Sequence, residues 1–269
     1  MDEKPEVMNK IYPVWGDIAK PDFEMSDEHL QRVIQSSEIV FHMAASLKLE
    51  APLRPNVLIN LCGTKYMIEL ARRMKNLIQL VHLSTAFCNV EPKIAEEKVY
   101  DFPHDPEDLI SMSQWMDDKA MSAVQKELLG QHPNTYTYTK RLAEILMQRE
   151  YKNLPVSIVR PTVVMPSVKE PVAGWVDSLN GVTGIFYAAG RGVLRSMLAD
   201  PNGLLEFIPV DTAINGIILV PKILAGSEKQ SEIPVYHLKV HNSLRMKIGD
   251  IFKLIKEIGR KYPASWALW

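Results

Sequence analysis

The chain has little cysteine, no excess of either charge and no long apolar run, and each absence excludes a class of protein. Its two cysteines, Cys62 and Cys88, lie in apolar segments without metal-ligand spacing. That excludes a disulfide framework and a structural zinc site, and suits buried reduced thiols in an intracellular protein. Lys and Arg (31) nearly cancel Asp and Glu (32), and no basic stripe interleaves with aromatics, so nucleic-acid binding has no electrostatic footprint. No segment reaches the roughly 18 to 20 apolar residues that cross a bilayer. The nearest, "INGIILVPKILAG", is broken by Pro221 and Lys222. The acidic start "MDEKPEVMNK" has no apolar stretch after it, so no signal peptide is expected. The chain as given is expected to be soluble.

What is present is ample core material, 46% hydrophobic residues over 269, in a regular alternation. "KIYPVWGDI" reads as a strand with a turn, "SDEHLQRVIQSS" as a capped helix and "EIVFHMAA" as a buried strand. "NVLINLCGTKYMIELARRMKN" follows as a long helix, "IQLVHLSTAF" as a strand, residues 136 to 151 as a helix and "PVSIVRPTVV" as a strand. Such alternation predicts a parallel sheet with helices on both faces, with ligands bound beyond the carboxyl ends of the strands. "HMAAS", "LSTAF" and "RPTVV" fall there. Residues 91 to 132 interrupt the rhythm as a partly helical insertion, either a substrate lid or an ordinary surface insertion. The tail reads as a strand, "VYHLKV", and an amphipathic helix, "IGDIFKLIKEIGRKY".

The stretch "NTYTYTKRLAEIL", residues 134 to 146, places two tyrosines ahead of a lysine at the start of a helix capped by Asn134 or Thr135. Residues i and i+4 share a helical face and i and i+2 do not. Tyr136 and Lys140 are therefore neighbours, and Tyr138 is expected to pack. An ammonium beside a phenol favours the phenolate and draws its pKa down from about 10. Tyr136 then becomes a usable proton donor and acceptor. One Tyr-x-x-x-Lys match is expected by chance in a chain of this composition, so its surroundings carry the argument. Strand "IQLVHLSTAF" ends in Ser84 and Thr85 about 50 residues earlier, and Asn60 lies in "NLCGT". A hydroxyl, a phenol and an ammonium together can protonate a carbonyl oxygen while a hydride reaches the carbon.

With "GDI" at 16 to 18, "FHMAA" at 41 to 45, "NLCGT" at 60 to 64, "LST" at 83 to 85, "YTYTK" at 136 to 140 and "RPT" at 160 to 162, the chain resembles an extended short-chain dehydrogenase/reductase. "RPTVVMPSVKEPVAGWVDSLNGVTG", "GRGVLRSMLADPNGLLEFIPVDTAINGII" and "GRKYPASWALW" narrow this. They resemble the reductase domain of insect-type fatty acyl-CoA reductases, in which NADPH reduces a long-chain acyl-CoA through an aldehyde to a fatty alcohol. The resemblance implies an α/β Rossmann-like doubly wound parallel sheet over 1–165 and a smaller substrate-binding portion over 166–269. None of the 13 glycines forms the Gly-rich turn with which such domains open. The fold is therefore expected to be truncated at its N-terminus, with the first βαβ unit missing, and the further C-terminal region of full-length relatives is absent too. Membrane association, at the endoplasmic reticulum or peroxisome, is expected only through that C-terminal region.

Carried over by the resemblance, Tyr136 is the proton donor and Lys140 its pKa-lowering partner, which also holds the nicotinamide ribose. Thr85 orients the substrate carbonyl, with Ser84 as the alternative. Asn60 braces the lysine region. Asp17 and Ile18 flank the adenine, Ala44 and Ala45 run beside ribose and phosphates, and Arg160, Pro161 and Thr162 lie near the nicotinamide. No metal is implied. His42 and His82 read as core or strand histidines. The other readings are an extended reductase acting on a sterol or sugar nucleotide, and a truncated non-catalytic binding module.

Overall fold

The computed structural model describes residues 5–228 and 230–262, so residues 263–269 of the "GRKYPASWALW" stretch and residues 1–4 of the N-terminus lie outside the described residues. Two compact units emerge. One comprises the described residues up to Ser84, Cys88–Ile158 and Glu228–Val235; the other comprises Thr85–Phe87, Val159–Ser227 and the described residues from Tyr236.

The first unit runs through helix α1 (Asp27–Ser36), strand β1 (Ile39–His42) and α2 (Leu53–Asn56), which passes through a π-helical segment (Val57–Cys62) into α3 (Gly63–Ala71). Strand β2 (Gln79–Leu83), helices α4 (Pro106–Trp115), α5 (Asp118–Leu129) and α6 (Thr135–Glu150), and the start of β3 (Val156–Pro161) follow. The second unit contains the end of β3, then β4 (Val163–Met165), α7 (Val182–Gly190), β5 (Leu204–Leu205), β6 (Phe207–Pro209), α8 (Val210–Ala225), most of β7 (Val235–Leu238), β8 (Met246–Lys247) and α9 (Ile248–Lys261). The main sheet has the order β1-β2-β3-β7. It is a parallel, Rossmann-like α/β sheet, with Ile39 opposite Gln79 and His42 opposite His82.

Local signals in the sequence account for the helices of the first unit. Ser26, Asp105 and Asp117 accept from backbone N–H groups in the first turns of α1, α4 and α5, satisfying donors that a helix start leaves free. On α1, Leu30 and Ile34 stand one turn apart and are buried with Phe23, Leu70 and Met74. The larger core gathers Val57 and Leu61 of the π segment, Leu80 of β2, Tyr138 and Leu142 of α6 and Ile158 of β3. Leu109 and Ile110 of α4 and Met121 of α5 belong to the same core. The later part of the segment read as an insertion thus packs into the core there, because its helices carry apolar faces that need covering.

One expected element does not form. Residues 11–17 of the "KIYPVWGDI" segment have no regular structure. Pro13 has no N–H to give a ladder, and Asp17 N donates locally to Phe23 O at 2.8 Å. That close turn explains Gly16, where a Cβ would stand 2.7 Å from the Phe23 carbonyl oxygen. Gly63 is needed for a similar reason, since a Cβ there would lie 2.8 Å from Ile18 Cγ1 and 3.0 Å from Ile18 O. Gly63→Ala should therefore destabilise the protein by about 1 to 3 kcal/mol through overpacking. Chemical denaturation checks this, and an unchanged midpoint would mean that the 18–63 contact gives way freely.

In the second unit β4 and β6 pair in parallel and β5 and β8 antiparallel. Asp211, at the start of α8, accepts from the N–H of Lys169 (2.8 Å), Val168 (3.1 Å) and Glu170 (3.2 Å). These bonds, Lys169 foremost, hold its carboxyl down to about 2. They fix the loop that follows β4 to the head of the helix. No described helix is long and apolar enough to cross a membrane.

Candidate functional site

Helix α6 opens on Asn134, whose side chain accepts from Thr137 N at 2.9 Å, so of the two caps left open by the sequence it is Asn134. Every residue from Thr137 to Met147 is buried, an environment that a lysine enters only with partners. Lys140 has them. Its Nζ donates to the carbonyl oxygen of Leu83 at 2.6 Å and faces His82 Nε2 at 3.1 Å. Loss of water around the ammonium brings its pKa from 10.5 down to about 8, against the pull of Glu144 and Cys88.

Asn60 sits in the π-helical segment, a backbone form frequent at functional sites. Its Nδ2 donates to Thr139 Oγ1 at 3.1 Å and to Ser46 O at 3.3 Å, and its Oδ1 accepts from Ser46 N at 2.7 Å. Asn60 thus ties the loop after β1 to the residue beside Lys140 on α6. Behind it, Thr64 Oγ1 donates to Asn60 O at 2.7 Å. With its hydrogen so used, Thr64 must accept from His42 Nε2, 3.0 Å away, which fixes the His42 tautomer as Nε2–H. Burial pushes that imidazole down to about 3, so it stays neutral.

The two tyrosines differ as their helical register requires. Tyr138 is fully buried. Its hydroxyl meets His104 Nδ1 at 2.8 Å, and its ring makes edge contacts with Phe102, His104 and His132. Burial pushes its phenol well above the ordinary range, unsuited to proton exchange near neutrality. Tyr136 is half-buried and stands one turn before Lys140 on the same face.

The remaining expected residues divide between the units. Ser84, buried at the end of β2, approaches Cys88 Sγ at 3.8 Å, and Cys88 Sγ lies 3.3 Å from Glu144 Oε1. Both cysteines are free and buried. Asp17 is exposed, and its Oδ1 accepts from Ala19 N at 2.9 Å. Ile18 and Ala44 come together on a groove of about 460 Å³ with Trp15, Gly16, Ile39 and Phe41. Ala45 is half-buried beside it in sequence. In the second unit the buried Thr85 accepts from Phe87 N at 3.3 Å, Arg160 is fully buried with Nη1 3.2 Å from His237 Nε2, and Pro161 O accepts from Ala86 N at 3.0 Å. Thr162 N donates to Leu238 O at 3.0 Å. A larger cavity of about 930 Å³, lined among others by Glu91, Tyr100, Phe102, Arg141 and Tyr151, holds none of the expected residues. Arg141 Nη1 is occupied by Glu91 and its Nη2 by the Asp101 carbonyl.

The groove beside Ile18 and Ala44 is lined mostly by apolar side chains. Its apolar wall could cover a base, and the exposed Asp17 carboxylate beside Ile18 can accept from an exocyclic amine. The buried Lys140 ammonium keeps one N–H beyond those facing Leu83 O and His82 Nε2, enough for one hydroxyl acceptor. Sequence reasoning missed His82 as a partner of Lys140, although a histidine inside the apolar run "IQLVHL" was the available signal, because a buried polar group demands a reason.

Comparison with known proteins gives the family and the fold. Residues 1–217 match the male sterility protein family, an NAD-binding domain model. Fatty acyl-CoA reductase 1 of Xenopus laevis is 42% identical over 250 residues, covering 93% of this chain and 48% of that protein. The Homo sapiens protein of the same name is 40% identical with the same coverage, so the chain spans about half the length of these relatives. Among solved structures, the terminal R domain of the myxalamid PKS-NRPS biosynthetic pathway superposes with a TM-score of 0.64 at 21% identity, over 94% of this chain and 56% of that one. A UDP-glucuronic acid 4-epimerase from Bacillus cereus in complex with NAD gives 0.56 at 19%, over 89% and 65%; these two bear on the fold. The chain therefore belongs to the male sterility protein family, with proteins named fatty acyl-CoA reductase among its relatives at about 40% identity.

Proposed function

We propose that this chain is the reductase domain of an alcohol-forming fatty acyl-CoA reductase that uses NADPH. The observation that carries the reading is Lys140, a fully buried ammonium held at the carboxyl end of β2, one helical turn from Tyr136. A bound nicotinamide supplies hydride, and two hydrides with two protons convert an acyl thioester to an alcohol and free CoA thiol. Tyr136 gives a proton to the carbonyl oxygen as charge develops there. Lys140 keeps that phenol acidic and offers its remaining N–H to a ribose hydroxyl. Asn60 holds α6 in register through Thr139. Asp17, Ile18 and Ala44 cover the adenine side and Ala45 the phosphates, while Arg160, Pro161 and Thr162 flank the nicotinamide. The preference for NADPH and for a long acyl chain rests on the family resemblance, and the fatty acyl-CoA substrate on the names of the relatives. The test is acyl-CoA-dependent oxidation of NADPH by the full-length protein, beside NADH, with the alcohol identified by gas chromatography. Absence of alcohol with a long-chain acyl-CoA overturns the reading.

The hydroxyl that orients the carbonyl is Thr85. Thr85→Ala should lower kcat by roughly 10²-fold, the scale of one lost donor at a developing oxyanion, while cofactor affinity changes little. Ser84→Ala should be milder, its hydroxyl being turned to Cys88. Steady-state kinetics and cofactor titration separate the two. The reverse order, with both proteins folded, gives the role to Ser84.

A further inference from the structure

We infer that His82 is a positioning residue for Lys140: its Nε2 accepts one ammonium N–H, the Leu83 carbonyl accepts a second, and the third is directed to the ribose while the charge stays beside Tyr136. The inference rests on reading Lys140 as part of the reductase site. An ammonium has three donors and no acceptor, so two fixed partners, at 3.1 and 2.6 Å, also fix where the third N–H can point. His82 is fully buried and its basicity is driven far below that of a free imidazole, first by burial and then by Lys140 and His42. The pair therefore carries a single positive charge, and it resides on the lysine.

Accepting at Nε2 requires the Nδ1–H tautomer, and Nδ1 is buried without a hydrogen-bond partner among the described residues. A leucine at this place in β2, between apolar neighbours, would fill the space without that penalty. A histidine is understandable if its other nitrogen has work, and that nitrogen faces Lys140. The remaining titratable groups around the ammonium are His42 from β1, ring to ring with His82 at 5.2 Å, Cys88 after β2, and Glu144 one turn along α6. His42 is committed to Thr64 and Cys88 lies against Glu144, so His82 is the side chain placed to steer the lysine.

The experiment uses the full-length protein, labelled at the lysine amine for NMR titration, with Lys140→Arg to identify the signal, and follows kcat against pH with NADPH and hexadecanoyl-CoA. His82→Leu removes the acceptor, so Lys140 should lose its proton at a pH lower by about one unit, a tenfold change in acidity, and the alkaline fall of kcat should move with it. His82→Gln, which keeps an acceptor near the place of Nε2, should restore both. His82→Met replaces the leucine variant if that one does not fold. An unchanged Lys140 titration in the apolar variant overturns the inference, whatever the activity. A shifted titration in a protein whose wild type forms no alcohol upholds it and overturns the reductase reading instead.

Discussion

Tyr136→Phe should remove most of the turnover while Tyr138→Phe leaves most of it. The two residues are two positions apart on α6, so their side chains lie on different sides of the helix. Tyr138 is enclosed by Phe102, His104 and His132. Its replacement by phenylalanine keeps those ring contacts and loses one hydrogen bond, to His104, at about 1 kcal/mol of stability. Tyr136 shares the face of Lys140, and removing a positioned general acid costs about 10²- to 10⁴-fold in rate. Turnover with saturating NADPH and acyl-CoA, beside a thermal melt of each variant, makes the comparison. Equal losses from both changes in folded protein would defeat the register argument and leave the proton donor unassigned.

Much of this was legible in the sequence, because it depends on period. The 3.6-residue repeat of α6 separates Tyr136 from Tyr138 before any coordinates, and the helices and strands lie close to where apolar spacing puts them, although β1, expected to be buried, leaves Ile39 and Phe41 exposed and buries only His42. The failures have physical causes. Residues 11–17 have strand-like residues, but a strand exists only through a partner's hydrogen bonds, and Asp17 spends its N–H on Phe23 O. How far α4 and α5 enter the core was hidden by the polar, proline-bearing start of segment 91–132, since their burial depends on contacts far away in sequence. The π-helical turn at Val57–Cys62 is invisible to periodicity, yet it places Asn60 against both Ser46 and Thr139. The least legible feature was the Lys140–His82 pair, 58 positions apart in the chain. A histidine inside "LVHL" signals that a buried polar group has a partner, but nothing local in that stretch names the partner as a lysine.

Lys140→Met should abolish turnover at least as fully as Tyr136→Phe, and it should also change how stability depends on pH. On activity, the roles proposed for the ammonium cover both the phenol and the ribose, so its loss should remove two functions. Residues that act as a unit are not additive, and the double variant with Tyr136→Phe should be little worse than Lys140→Met alone. On stability, the folded chain releases the Lys140 proton near 8 and the unfolded chain near 10.5. Between these values unfolding takes up a proton, so the wild-type fold gains stability as pH rises through that window. Below it the buried ammonium exacts its full cost. The gap corresponds to a gain of up to about 3 kcal/mol, which the methionine variant cannot show. The absolute difference at pH 7 also includes the two acceptors, Leu83 O and His82 Nε2, left without their donor, so the slope is the discriminating quantity. Urea denaturation of both proteins from pH 7 to 10.5 measures it. Parallel profiles would mean that Lys140 is not strained by burial. A steeper wild-type profile together with lost turnover would show a charge kept in the interior at the expense of stability because the reaction needs it.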